Sequence, residues 1–191
     1  FAKYPHAVIH NIDITKAEKI DGVLTILTAK DVPNNEYGLI MPDQPVLCGP
    51  GSNKPFADRV RFIGDQVAVV IAETEEAAAA ARDLIDVYYE QLPVITDPEL
   101  SRKDRAPRLH PDRDSNIFCH YKIRKGDINQ GFEEADLIVE EEYHTPAQEH
   151  AYLQPEAGLG FIDKEGRVTV LTAGQWTHED QEEIAHALAL D

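Results

Sequence analysis

The chain is 191 residues long, 42% hydrophobic and 28% charged, with a formal net charge of −17 at pH 7. That composition fits a soluble globular protein of one large or two small domains. The negative charge excludes a tracker of nucleic-acid phosphates and a docker on anionic membrane. Cys48 and Cys119 are the only cysteines, too few and too distant for a disulfide framework or a Cys-x-x-Cys metal knuckle, so a reducing, cytoplasmic setting is expected. The longest apolar run, VAVVIA at 67–72, is far too short to span a bilayer. No secretory signal opens the chain. The single methionine is Met41 and the first residues are FAKYPHAVIH, so a piece of a longer subunit is expected.

Residues 7–14, AVIHNIDI, alternate apolar and polar side chains, the period of a half-buried strand. GVLTILTAKDVP predicts a second strand closed by Asp31-Val32-Pro33. Residues 33–58 are rich in Pro, Gly and Asn and read as a long loop. In RVRFIGDQVAVVIAE, Gly64-Asp65 separates two apolar runs as a hairpin turn would. Thr74 is placed to cap a helix whose first turn carries Glu75 and Glu76. Ala77, Ala80, Ala81, Leu84 and Ile85 form its packing face, and the small alanines allow close approach to a sheet. DVYYEQLPVI returns to strand, completing a strand–helix–strand unit over 66–95.

Residues 98–116 carry prolines and dense charge without apolar period and predict a connector. Beyond it, FCHYKIRKGDI and LIVEEEYHT read as strands flanking a short helix or turn in INQGFEEAD. The last unit is strand, turn and helix from Arg167 onward. In it, Thr177 is a candidate cap with Asp180 three residues on, and Ile184, Ala187 and Leu188 form the packed face.

The corner TAGQWTHEDQ holds the chain's only tryptophan, Trp176, and beside it Gln175. Strand ends that feed helix starts are common ligand sites. Glu179 and Asp180 already occupy the positive end of this helix, so a phosphate would meet like charge. A neutral amide, with one acceptor oxygen and two donor hydrogens, can instead orient an oxo, hydroxyl or carbonyl group without changing local charge. The competing reading is a surface glutamine beside a core-filling tryptophan. Other candidates are weaker. His144 and His150, on one face of an extended segment, would stand ~20 Å apart. His178, Glu182 and His186 share a helix face that could hold a metal but read better as solvated, since HEDQE lacks the H-E-x-x-H pattern. Glu140, Glu141 and Glu142 alternate across a strand and make no acid/base pair. No phosphate-cradling glycine motif and no Ser or Cys in a nucleophile setting occurs. No catalytic residue and no metal ligand is therefore assigned.

In this order, PHAVIHNID, GVLTILTAKDVP, DQPVLC, VRFIGDQVAVVIAET and IDVYYEQLPVITDPE resemble the a/b hammerhead domain of the xanthine dehydrogenase and aldehyde oxidase family, the molybdenum hydroxylases. KGDINQGFEEADLIVEEEYHTPAQEHAYLQPEAGLGFID and VTVLTAGQWTHEDQ resemble the start of the molybdopterin-binding domain. The resemblance implies an α+β fold. It gives a hammerhead domain over 1–97, the connector at 98–116, and the N-terminal part of the cofactor domain over 117–191. It implies oxidative hydroxylation of an N-heterocycle such as a purine, or of an aldehyde, with water as oxygen source. It further implies a molybdenum–molybdopterin cofactor, iron–sulfur clusters and FAD on partner domains or subunits, and a small-molecule substrate, with neither nucleic acid nor membrane insertion. Gln175 matches the family glutamine that hydrogen-bonds an oxygen ligand of molybdenum. This stretch departs from the family at Gln154-Pro155-Glu156, where many members carry Glu-Pro, and it lacks the glycine-rich GGxFGG loop and the C-terminal glutamate base. The stretch alone is expected neither to hold cofactor nor to turn over. The other class of reading is a non-catalytic assembly or binding module of hammerhead architecture.

Overall fold

The computed structural model describes residues 1–153 and 157–190, so Gln154, Pro155 and Glu156 lie outside the described residues. Packing divides the chain into two compact units, one of residues 1–118 with 176–191 and one of residues 119–175.

In the first unit, β1 (Ala7–Asp13) is the central strand of an antiparallel sheet, with β2 (Val23–Thr28) following it in sequence but lying in another sheet. The neighbours of β1 are the two-residue β3 (Arg59–Val60) and, after β4 (Ala68–Ala72) and α1 (Glu75–Arg82), the strand β5 (Asp86–Gln91). Alternation along β1 buries Ala7 and Ile9, and then the β1–β5 register shifts between Ile9 and Asn11. The extra residue, His10, lets Ile12 rejoin the core side. Ala2, Ala7, Ile9, Cys48, Val60 and Val67 form this core, flanked by Tyr4 and Tyr89 in an edge-to-face pair at 5.3 Å.

The second sheet pairs β2 with β4 antiparallel, Thr28 opposite Ala68 and Val23 opposite Ala72. α1 lies on it. Thr74 caps α1 as expected, its hydroxyl accepting from the Ala77 N–H at 3.1 Å. The helix stops at Arg82, and Ile85 still packs against the core of Ala17, Ile26 and Ala81. The alanine face does what its small side chains permit: a Cβ placed on Gly22, which has φ +85°, would stand 3.4 Å from the Ala77 Cβ.

The two apolar runs flanking Gly64-Asp65 do not form a hairpin with each other. β3 pairs with β1 and β4 with β2, because both runs find better partners in strands already laid down. The Asp65 carboxylate closes the turn locally by accepting from the N–H groups of Arg61 at 2.6 Å and Phe62 at 3.3 Å.

The long loop is ordered by Asn35, which is fully buried. Its side chain imitates a strand partner, donating to the Leu47 carbonyl and accepting from the Leu47 N–H, both at 2.8 Å. The connector folds onto the same unit through a short helix, α2 (Pro98–Ser101), capped by Asp97. Arg61 Nε donates to the Leu109 carbonyl at 3.1 Å, and the Asn116 amide donates to the carbonyls of Ser101 and Pro107.

The second unit holds α3 (Ile128–Glu134), capped by Asp127, and the antiparallel pair β6 (Gly158–Ile162) and β7 (Val168–Thr172). The strands read at 118–128 and 137–145 are not formed. A ladder needs a neighbour to satisfy its N–H and C=O groups, and these segments pair with no described residue. Ile123, Leu137, Val139 and Tyr143 are accordingly exposed. The return segment of the first unit is α4 (Thr177–Ala187). Small antiparallel sheets, one of them covered by α1, together with separate short helices make the fold α+β, as expected. Among the described residues no helix is long and apolar enough to cross a membrane.

Candidate functional site

The candidate site is built from the end of β7. Strands β6 and β7 are joined by a turn at Asp163–Arg167 that one carboxylate organises. Asp163 accepts from the N–H groups of Glu165 and Arg167, each at 2.9 Å, and from Arg167 Nε at 2.8 Å. Gly166 sits at φ +81°, where only a residue without Cβ is unstrained. The Arg167 backbone N–H is the largest of the contacts that hold the Asp163 carboxyl below the usual aspartate range. A carboxyl depressed in the folded state contributes stability above its unfolded value near 3.9, and that contribution is lost as pH falls through the lower folded value. Carboxyl NMR of Asp163 will therefore show a midpoint below ~3.9, and Asp163→Asn will remove this component of the hairpin's acid sensitivity.

Beyond β7 the chain turns at Gln175 and enters α4. Gln175 is exposed, and among the described residues its amide makes no hydrogen bond. The helix starts one residue earlier than expected. Trp176, at φ −127° and ψ 67°, occupies the cap position, Thr177 is the first helical residue, and no side chain caps the end. Thr177 cannot cap because its own backbone is already helical. Glu179 and Asp180 lie in the first turn as expected. Trp176 is 52% exposed.

The remaining candidates disperse. His144 Nε2 meets Glu142 Oε1 at 2.9 Å on an exposed segment. His178, Glu182 and His186 bind nothing in common; among the described residues no three His, Cys, Asp or Glu side chains gather as metal ligands do. Cys48 is buried, and burial first, with the nearby Asp65 charge, pushes its thiol up to about 12. It stays protonated and offers no nucleophile. His110 is lowered by burial and by the adjacent Arg61 guanidinium, so it is neutral near pH 7. An open hollow of about 370 Å³ beside α3, lined by Ile128, Phe132, Leu137, Ile138 and Val139 among others, brings no polar side chain to bear.

The structure adds contacts that the sequence did not announce. Asn34 donates through its backbone N–H to the Ala187 carbonyl at 3.1 Å and through its side chain to the His186 carbonyl at 2.8 Å. Glu183 accepts from the Gly38 N–H at 3.3 Å, and His186 Nε2 lies 3.3 Å from Glu36 Oε1. The long loop thus closes the C-terminal end of α4, satisfying carbonyls that a helix end leaves orphaned. An Asn-rich loop was visible in the sequence, but nothing local says which distant helix it will meet.

Comparison with known proteins gives a consistent picture. The family described as aldehyde oxidase and xanthine dehydrogenase, a/b hammerhead domain, matches residues 1–93. The family described as molybdopterin cofactor-binding domain matches residues 109–191. The chain is 41% identical to a probable xanthine dehydrogenase subunit of Bacillus subtilis over 95% of its length and 23% of that protein's. It is 36% identical to the nicotinate dehydrogenase large molybdopterin subunit of Eubacterium barkeri over 97% of its length and 42% of that protein's. The aldehyde oxidoreductase of Desulfovibrio desulfuricans superposes over the whole chain and 21% of its own, with a TM-score of 0.83 and 29% identity. That of Desulfovibrio gigas superposes over the same shares with a TM-score of 0.79 and 28% identity. The chain thus spans less than half of each relative. In sequence and in fold, it belongs to the xanthine dehydrogenase and aldehyde oxidase family, matching the hammerhead domain and the start of the molybdenum-cofactor domain of the large subunit.

Proposed function

We propose that the chain works within the large subunit of a molybdenum hydroxylase that inserts a water-derived hydroxyl into an N-heterocycle, with an aldehyde as the second choice of substrate. Two of its relatives, 41% and 36% identical, are named for xanthine and nicotinate, both N-heterocycles. Residues 1–97 are taken as the hammerhead domain, 98–116 as the connector and 117–191 as the N-terminal part of the cofactor domain.

The observation that carries the site is the uncommitted amide of Gln175 at the exposed end of β7. Its chemistry fits a molybdenum–molybdopterin cofactor, because a neutral group with both donors and an acceptor can meet an oxygen ligand of the metal in either protonation state. When bound, that cofactor supplies the two-electron oxidation. The part of this chain would be to orient: Gln175 would hold an oxygen ligand of the metal by a neutral hydrogen bond, and Glu179 and Asp180 would keep competing anions from the helix start. Iron–sulfur clusters and FAD on partner domains or subunits would carry the electrons onward, in a cytoplasmic assembly. Two free cysteines in this chain agree with that compartment.

Metal analysis of the complete subunit with its partners, purified from molybdenum-replete cells, tests the reading. About one molybdenum per large subunit is expected; none would refute it and leave the non-catalytic module.

A further inference from the structure

We infer that the open apolar hollow beside α3 seats a basic segment of the rest of the large subunit, one that carries apolar side chains between lysines or arginines. The inference rests on the reading of this chain as part of a longer large subunit. α3 brings Ile128, Gly131 and Phe132 to the hollow at the spacing of one helix face, and Leu137, Ile138 and Val139 extend the lining. The five large side chains among these are each more than half exposed. A contiguous apolar patch with a polar rim marks a docking surface.

The rim decides the charge of the occupant. Residues 127–142 hold seven carboxylates and no lysine or arginine. Three of the seven are engaged locally: Asp127 caps α3, Glu134 accepts from the Gln130 amide at 2.6 Å, and Glu142 meets His144. Glu133, Asp136, Glu140 and Glu141 make no ion pair among the described residues. Lys122, Arg124 and Lys125 are the nearest lysines and arginines in sequence, and they pair with none of these four. Uncompensated negative charge around an apolar seat favours a cationic occupant and repels an anionic one. The lining decides its source. Permanent interfaces resemble a domain core cut in half, whereas transient ones are more polar. Two curated relatives extend far beyond the 23% and 42% of their length that this chain covers, so a large subunit of their kind has the chain to fill such a seat.

The test uses the complete large subunit with its partners and places a photo-cross-linker at the centre of the hollow, as Phe132→p-benzoylphenylalanine. Irradiation followed by peptide mass spectrometry is expected to find the adduct in the large subunit outside these 191 residues, on a segment with lysine or arginine beside apolar side chains. Should that variant fail to assemble, Ile138→p-benzoylphenylalanine decides by the same criteria. Adding Glu140→Lys and Glu141→Lys should lower the adduct yield about 10-fold, because like charges now face each other across the seat. An adduct within this stretch, an adduct on another subunit, or none at all overturns the inference, as does a yield that charge reversal leaves unchanged. Molybdenum content reports on the proposed reaction separately: the expected adduct in a protein without molybdenum keeps this docking face and refutes the hydroxylase.

Discussion

Replacing Gln175 by alanine in the complete, cofactor-loaded enzyme lowers kcat by about 10- to 100-fold, the equivalent of ~1.4 to ~2.7 kcal/mol in the barrier. One hydrogen bond aimed at a group whose charge changes during reaction accounts for that size. Both kcat and kcat/KM should fall together, because the contact strengthens as the reaction proceeds rather than on substrate binding. The fold should be untouched, since Gln175 is exposed and anchors nothing among the described residues. Gln175→Glu sharpens the prediction. It keeps the size and the acceptor but removes both donors and adds a negative charge beside Glu179 and Asp180. It should therefore be at least as damaging as alanine. Steady-state kinetics per molybdenum checks both variants; wild-type behaviour in both would remove the only site residue assigned.

The second large effect concerns stability. Ile9 is 1% exposed and sits among Ala7, Cys48, Val60 and Val67, beneath Ile12, Val87 and Tyr89. Ile9→Ala leaves a cavity at the centre of the β1 sheet and is expected to cost ~2–5 kcal/mol. Domains of this size are stable by only ~5–15 kcal/mol in total. Denaturant unfolding should show a lower midpoint at unchanged slope. The exposed neighbour His10, paired with Glu90 at 2.8 Å on the open face, should tolerate alanine within ~0.5 kcal/mol.

What was legible in the sequence follows from where the information lies. The β1 alternation and the Thr74 cap are set by neighbours within a few residues, and the structure has them where the pattern put them; of the expected face of α1, Ala81 and Ile85 pack in the core while Ala80 and Leu84 stay exposed. The failures are long-range. Gly64-Asp65 carries a hairpin signature, yet β3 and β4 join different sheets, because partner choice depends on strands more than thirty residues away. Residues 118–128 and 137–145 have strand composition but no described neighbour to pair with, and periodicity alone cannot supply one. Gln175 itself was noticeable only as a polar residue at a strand-to-helix corner; its assignment came from the resemblance of the surrounding phrase. The contacts between the long loop and α4 were invisible, since Asn34, Glu36 and Gly38 meet Glu183, His186 and Ala187 only once the chain has folded.

The exposed apolar faces of the second unit fit a chain that covers 23% and 42% of its two curated relatives. Leu159, Phe161, Ile162 and Leu171 stand open on a two-stranded sheet, and such a pair is marginal in water without further packing. In the proposed enzyme the rest of the large subunit supplies that packing.

A structure of the complete subunit with its molybdenum cofactor bound tests the central claim most directly. The Gln175 amide nitrogen or oxygen is expected at ~2.7–3.2 Å from an oxygen ligand of the metal. A side chain turned away from the cofactor, with no atom within ~5 Å of any such ligand, would contradict it.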